Sequence, residues 1–300
     1  ESVGLAPPTK FLMLDTTVDP AELLAITTTG QVLAWNGTQW WPKGNLNDPN
    51  VSVGAAIESG PAEGVYVASS VEIYQWRNGQ WAGLPLDIGA YTMLAADLGD
   101  GPNLYVGGNF TNGGSSTFFN RVARFDGITW HRLGSGFDNS VLSLEVYDAG
   151  DGPRLYAGGL FNTSRGEPVR AIAGFDGDAW LPLTATPLPI PVISMKAFDA
   201  GDGEKLYFSN FQDLFVWDGD MVSQFAPAGW YGKLIHVPEP GNDFLLFLGA
   251  TADIGGPDDM AILTPCPCPA DLSGSSDPLD PAYGIPDGVA DLADFFYYLD

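Results

Sequence analysis

The sequence predicts an all-β chain folded as a six-bladed β-propeller, and three observations carry that prediction. First, Leu104-Tyr105-Val106-Gly107-Gly108 returns as Leu155-Tyr156-Ala157-Gly158-Gly159 and again as Leu206-Tyr207. The three tyrosines stand 51 residues apart each time, and each follows an acidic glycine segment beginning at Asp97, Asp148 or Asp199. Second, an aromatic residue, then Asp or Asn, then Gly, recurs at Trp35-Asn36-Gly37, Phe125-Asp126-Gly127, Phe175-Asp176-Gly177 and Trp217-Asp218-Gly219, with Trp76-Arg77-Asn78-Gly79 as a variant. Asn-Gly and Asp-Gly between aromatic or β-branched residues supply the positive φ of tight hairpins. The glycines at 37, 79, 127, 177 and 219 step by 42 to 50 residues, the length of a four-stranded unit repeated about an axis. Third, 38 glycines and 24 prolines in 300 residues demand many turns, while 12% aromatic content is too high for a disordered chain.

Each unit reads as four short strands. In the fourth they are Val141 to Tyr147, Arg154 to Ala157, Ala171 to Phe175 and Ala179 to Leu183. A sixth unit begins at Lys233-Leu234-Ile235-His236-Val237, continues over Asp243 to Leu248 and Met260 to Leu263, and meets prolines before a fourth strand. Glu1 to Leu5, just ahead of the first strand Phe11 to Leu14, would supply that strand and hide two sheet edges. The domain reading is therefore a propeller over residues 1–264 and a separate tail over 265–300.

The 37 acidic residues against 12 basic ones give a formal net charge of −25. This excludes nucleic acid and anionic membrane surfaces, which need basic patches, and no apolar run approaches the roughly 20 residues of a membrane span. The first residue is Glu1 rather than Met, the expectation for an exported chain whose leader has been removed. Cys266 and Cys268 flank a single proline and lack the four-ligand pattern of a zinc site. A strained local disulfide, an interchain link and two free thiols all fit them. Four sequons, at Asn36, Asn50, Asn109 and Asn162, are expected to carry no glycan.

The Leu-Tyr-x-Gly-Gly segments, each with a tryptophan (Trp130, Trp180) further on, resemble the kelch-type propeller repeat. The resemblance is good over residues 90–185 and looser elsewhere. The second unit has Tyr66-Val67-Ala68-Ser69 where the glycine pair belongs, and the fifth has Tyr207-Phe208-Ser209. Such propellers host enzymes and binding modules alike, so the resemblance implies architecture only.

After Cys268 the composition changes. The stretch Asp287-Gly288-Val289-Ala290-Asp291-Leu292-Ala293-Asp294 reads as the end of an EF-hand-type loop entering an amphipathic helix. Ca²⁺ takes six to eight oxygens from alternate loop positions, with an acid closing the loop. With Ser275 to Pro286 counted as an insertion, the donors are Asp271, Ser273, Asp287, the Val289 carbonyl, Asp291 and Asp294. The segment is similar to the dockerin-type calcium module of the planctomycete GC-type dockerin domain-anchored family. The matching phrases are Cys-Pro-Ala-Asp-Leu, Ser-Gly-Ser-Ser-Asp-Pro, Pro-Ala-Tyr-Gly-Ile-Pro-Asp-Gly and Asp-Phe-Phe-Tyr-Tyr-Leu. It implies a bound Ca²⁺, an extracellular or cell-surface setting and a bacterial source. Dockerins pair two such loop–helix units, and this segment carries one.

Phe295, Phe296, Tyr297, Tyr298 and Leu299 form one aromatic block that a helix of about 10 residues cannot bury on itself. They are the expected interface, on a protein partner or a second copy. Tryptophans at repeat positions (Trp35, Trp40, Trp130, Trp180, Trp217) are expected to pack, whereas Trp41, Trp230 and Tyr231 break the repeat and are candidate ligand-binding residues. The functional expectation is a non-catalytic binding or assembly protein. Behind it stand a carbohydrate-binding propeller, then a polysaccharide-acting enzyme using an acid pair such as Asp253 and Asp258.

Overall fold

The computed structural model describes residues 9–35, 37–84, 89–111, 118–184, 191–210, 212–226, 232–237, 244–248 and 260–263. The chain divides into two compact units, Glu1–Ile193 and Ser194–Asp300. No helix occurs among the described residues.

The first unit holds four antiparallel sheets, each of four strands paired in chain order. The first is β1 (Thr9–Asp15), β2 (Glu22–Thr27), β3 (Gln31–Trp35) and β4 (Trp40–Asn45). The second is β5 (Val53–Ile57), β6 (Gly64–Ala68), β7 (Ile73–Arg77) and β8 (Gln80–Gly83). The third is β9 (Thr92–Asp97), β10 (Pro102–Gly107), β11 (Val122–Phe125) and β12 (Trp130–Arg132). The fourth has β13 (Val141–Asp148) and β14 (Pro153–Gly159), a small hairpin of β15 (Thr163–Ser164) and β16 (Glu167–Pro168), then β17 (Ile172–Phe175) and β18 (Trp180–Pro182). The four strands expected for this sheet are all present, and the β15–β16 hairpin was not anticipated.

The second unit holds a four-stranded sheet of β19 (Ser194–Asp199), β20 (Glu204–Ser209), β21 (Leu214–Trp217) and β22 (Val222–Ala226). After it comes a three-stranded sheet of β23 (Lys233–Val237), β24 (Phe244–Leu248) and β25 (Met260–Leu263). Residues 1–8, which include the expected closing strand Glu1 to Leu5, and everything after Leu263 lie outside the described residues.

Within each unit the first strands of successive sheets lie side by side, β1 by β5, β5 by β9, β9 by β13, and β19 by β23. The cores therefore sit between sheets. One cluster joins Tyr66 and Ile73 of the second sheet to Leu104, Val106 and Phe125 of the third. Another joins Tyr105 and Val122 of the third to Leu144, Leu155 and Trp180 of the fourth. The second strands carry the most apolar runs, and the repeated tyrosines stand on them: Tyr66, Tyr105, Tyr156 and Tyr207, all essentially buried. Cross-strand from Tyr156 is Gly174, where a Cβ would come within 2.8 Å of the tyrosine ring.

The strands of all five expected hairpins pair, and four of the turns show two different devices. Asn78 and Gly79 both take positive φ (54° and 78°) between the paired Arg77 and Gln80, the two-residue turn that Asn-Gly favours. In the Asp-Gly turns only the glycine is left-handed. The aspartate instead accepts two backbone N–H bonds through its carboxylate, as Asp176 does from Asp178 (2.9 Å) and Ala179 (2.7 Å). The aromatic residues closing each turn then pair, Phe125 with Trp130 and Phe175 with Trp180 at 5.0 Å between rings. The expectation of packing roles for the repeat tryptophans fits this geometry. The Trp180 indole N–H donates to the Leu133 carbonyl (2.9 Å) and that of Trp81 to the Lys43 carbonyl (3.0 Å), each acceptor belonging to the preceding sheet or its trailing linker. Trp130 occupies the same repeat position, but its indole N–H has no partner among the described residues.

The glycine pair also has a physical cause. Three linkers bond the end of the previous sheet's second strand: Ala90 N–H to Ser69 O (2.8 Å), Val141 N–H to Gly108 O (3.1 Å) and Val192 N–H to Gly159 O (3.2 Å). The linker that enters the strand's own sheet passes on the other side: a Cβ on Gly108 would stand 2.7 Å from Gly89 O, and one on Gly159 would overlap Ser140 O. The second sheet has Ala68-Ser69 here, and its close approach is to the following linker, where a Cβ on Gly89 would overlap the Ser70 backbone. In the fifth, the Ser209 hydroxyl donates to the linker's Gly232 carbonyl at 2.9 Å.

Two predictions follow from this packing. Gly159→Ala is expected to cost about 1–3 kcal/mol by overpacking, read as a lower urea midpoint. The buried tyrosines are expected to resist ionisation: burial pushes Tyr66 and Tyr156 from 10 up to about 12 and raises Tyr105 and Tyr207. A raised folded pKa means that their stabilisation is complete below pH 10 and is lost as pH rises through 10 towards 12. Absorbance at 295 nm should show these phenols titrating late, together with loss of the folded circular-dichroism signal.

Candidate functional site

Of the sequence-predicted site residues, only Trp41 lies among the described residues. Asp271, Ser273, Asp287, Val289, Asp291 and Asp294, the block Phe295 to Leu299, Trp230, Tyr231, and the acids Asp253 and Asp258 all lie outside them.

Trp41 is half-buried in β4 and packs on Leu24, Ala34 and Val65 between the first two sheets. Beside it is Lys43, a buried cation whose Nζ lies 2.6 Å from Asp15 Oδ2 and 3.2 Å from Glu22 Oε2. The ammonium also lies 5.8 Å from the Trp41 ring centre and 5.6 Å from that of Trp76. Asp15 is fully buried and further accepts the Thr17 N–H at 3.0 Å. One lysine is thus neutralised by two carboxylates and covered by two indoles, so a face of Trp41 already serves an internal cation.

The acidic glycine segments form first-to-second-strand turns. The Asp97 carboxylate accepts from Gly99 and Gly101 N–H (2.8 and 3.0 Å), and Asp148 and Asp199 repeat the pattern. The second aspartate of each loop pairs with a cation, Asp100 with Arg124, Asp151 with Arg154 and Asp202 with Lys205. At the neighbouring turn His131 Nε2 lies 2.6 Å from Asp126 Oδ2 and 3.0 Å from Thr129 Oγ1. The Thr129 backbone N–H first, and then His131, hold the Asp126 carboxyl well below the usual carboxylate range. No group of three or more metal-ligating side chains occurs among the described residues.

The opposite end of the first unit is built differently. In the second sheet β6 and β7 are joined by the tight turn Ser69–Glu72. In the third and fourth sheets the equivalent segments run from Gly108 to Arg121 and from Leu160 to Ala171. Both are pinned the same way, with Arg121 N–H donating to Phe110 O (2.7 Å) and Ala171 N–H to Phe161 O (2.9 Å). Between them threads the linker Leu133–Ser140. Asn120 Nδ2 donates to Ser135 O (2.9 Å), Ser164 Oγ donates to Gly136 O (2.7 Å), and Asp138 accepts the N–H groups of Asn162 (2.8 Å) and Thr163 (3.1 Å). Phe137 stacks on Phe161 at 4.0 Å. Two inserts and a linker thus form one hydrogen-bonded platform.

The platform presents apolar side chains to solvent, Phe118 at 56% and Leu160 at 42% exposure, with Tyr91 and Val71 at the same end. It also carries Arg121, Arg165 and Arg170, three of the chain's 12 basic residues, against Asp138 and Glu167. Asn120, Arg121, Arg165 and Ala171 all adopt positive φ between 50° and 77°, a strained conformation for residues with a Cβ. The Arg121 Nε is buried without a partner among the described residues, while its Nη1 donates to Phe110 O at 3.3 Å. Sequence reasoning passed over this platform, although spacing marks it. Tyr66 precedes its hairpin aromatic by 10 residues, as does Tyr207, whereas Tyr105 and Tyr156 precede theirs by 20 and 19.

Removing the buried cation tests the inter-sheet cluster. Lys43→Met is expected to cost about 3 kcal/mol or more at neutral pH, because it leaves Asp15 buried and uncompensated. Adding Asp15→Asn should recover part of the loss, measured by thermal unfolding.

No protein-family model matches the chain, and no curated protein matches it. Solved structures with propeller-like folds do. The extracellular domain of a hybrid two-component system from B. thetaiotaomicron is 12% identical at a TM-score of 0.56, over 86% of this chain and 32% of that one. The chain thus spans about a third of that protein. A structure of the mitotic checkpoint complex matches at 11% identity and a TM-score of 0.56, covering 87% and 82% of the two chains. A gluconolactonase from Xanthomonas campestris matches at 15% identity and a TM-score of 0.50, covering 81% and 84%. At these identities the likeness shows the fold alone: an all-β, propeller-like chain.

Proposed function

We propose that the chain is a non-catalytic, secreted or cell-surface binding and assembly protein. In this reading residues 1–264 form a six-bladed propeller whose last sheet is completed by Glu1 to Leu5. Residues 265–300 hold Ca²⁺ through Asp271, Ser273, Asp287, the Val289 carbonyl, Asp291 and Asp294, and dock on a partner or a neighbouring subunit through Phe295 to Leu299. The donor set, carboxylates with a hydroxyl and a carbonyl, is the hard-oxygen set that Ca²⁺ takes.

The observation that carries a binding role is the platform. Its inserts are longer than the turn the second sheet uses, they are tied together by side-chain hydrogen bonds, and they hold apolar groups in solvent. A fold that needs only to be stable gains nothing by exposing Phe118 and Leu160, and such patches commonly mark interaction sites. The extracellular domain among the structural neighbours is in keeping with an extracellular setting.

Titration calorimetry of the full chain with CaCl₂ and light scattering with Ca²⁺ or with chelator test this reading. Heat of binding and a larger mass in Ca²⁺ are expected. An absence of heat, with one unchanged monomer mass in both conditions and no partner-dependent shift, would overturn it.

A further inference from the structure

We infer that the platform is the receptor for the acidic, aromatic C-terminal segment of a second copy, so that the assembly proposed above runs from the tail of one molecule to the Phe118–Leu160–Arg165–Arg170 face of the next. The inference rests on the assembly reading and adds the receptor to it.

Charge points to this occupant. At the turn end of the same sheets stand Asp97, Asp100, Asp126, Asp148, Asp151, Asp176 and Asp178, and Arg124 and Arg154 there are paired with carboxylates. The platform itself carries three arginines against two acids, with Glu72 in the adjoining turn of the second sheet, in a chain of net charge −25. Its Asp138 is committed to two backbone N–H groups, whereas Arg165 and Arg170 are exposed. A segment that fits must therefore bring carboxylates together with apolar side chains. Residues 264–300 contain seven aspartates and no Lys or Arg, so a bound Ca²⁺ still leaves the segment about five charges negative. Its last residues, Asp294-Phe295-Phe296-Tyr297-Tyr298-Leu299-Asp300, set the apolar block between two acids. The apolar side chains would cover Phe118, Leu160 and Tyr91, while the Asp300 carboxylate, which is no calcium donor, meets the arginines. Charge complementarity of this kind fixes partner and register, and burial of the aromatics supplies the affinity.

Chain length permits the exchange. Seven residues separate Thr264 from Asp271, the first proposed calcium donor, a reach of up to roughly 25 Å when extended, and the calcium loop then carries the aromatic block further. A tail given to the next molecule makes a head-to-tail contact, which propagates unless it closes into a ring.

The test is light scattering of the full-length protein in Ca²⁺ over a concentration series. Arg165→Glu/Arg170→Glu, Phe118→Ser and Phe295→Ser/Phe296→Ser are each expected to weaken association at least tenfold. Arg77→Glu, at the turn end of the second sheet, should leave it unchanged. Asp300→Lys, which spares every proposed calcium donor, should weaken association alone and recover it at least threefold when combined with Arg165→Glu/Arg170→Glu. If the tail variants dissociate the assembly and the platform variants do not, the receptor lies elsewhere and this inference falls while the assembly reading stands. If the wild type never associates, the assembly reading falls. The receptor is then judged with a labelled synthetic peptide of residues 284–300: binding lost in Arg165→Glu/Arg170→Glu supports the platform, and no binding overturns it.

Discussion

In the middle sheets of the first unit the end of the second strand is held between linker backbones, and the rest of the unit depends on that approach. The linker that leaves for the next sheet bonds the strand end at about 3 Å, and the linker that enters the strand's own sheet passes so close to Gly108 and Gly159 that no Cβ fits between the backbones. At the second sheet the close approach is made by Gly89 of the following linker against Ser70. Once the linker is docked, the first strands lie side by side and the second-strand tyrosines are enclosed between sheets. The outer strands are then near enough for Trp81 and Trp180 to reach carbonyls contributed by the preceding sheet. Inter-sheet burial is the large favourable contribution, but the glycine contact sets its geometry.

The two ends of the sheets differ because they answer to different demands. Turns joining strands one to two and three to four are short, and their aspartates are occupied by backbone N–H groups and by Arg or Lys partners. That chemistry closes a loop and leaves solvated charge outside. The other end has room, because the linker docks there and the connections between second and third strands vary in length without disturbing the sheet. Binding surfaces concentrate on connections of this kind, held by a rigid frame. The hydrogen bonds from Asn120, Asp138 and Ser164 make two inserts and a linker one body, which limits the ordering cost when a partner arrives.

The Lys43 cluster shows how a buried charge is accommodated between sheets. Two carboxylates from β1 and β2 neutralise one ammonium from β4, and two indoles exclude water from it. Replacing such a cluster with apolar residues often stabilises a fold, so its value here lies in register. A lysine on β4 that must meet Asp15 and Glu22 permits one alignment of the first sheet.

Much of this fold was legible in the chain itself. Spacing of 51 residues between tyrosines, the Asp-Gly turns and the alternation within strands are local in origin, and each strand of the fourth sheet stands close to where those signals put it. The repeat tryptophans could be assigned to packing because position in a repeat is a sequence property. Other features were decided only by tertiary structure. The glycine pair looks like a turn signal in sequence, yet its cause is a neighbouring backbone that no local pattern describes. Trp41 breaks the repeat and reads as a ligand-binding candidate, but Val65 packs against it, and Trp76 covers the neighbouring Lys43, only when the first two sheets come together. The platform left its trace as ten extra residues ahead of one hairpin and nine ahead of another. Its meaning as one surface required Asn120, Asp138 and Ser164, distant in the chain, to meet across the linker. Periodicity is written in the order of residues, whereas surfaces and close approaches are made by segments that the order keeps apart.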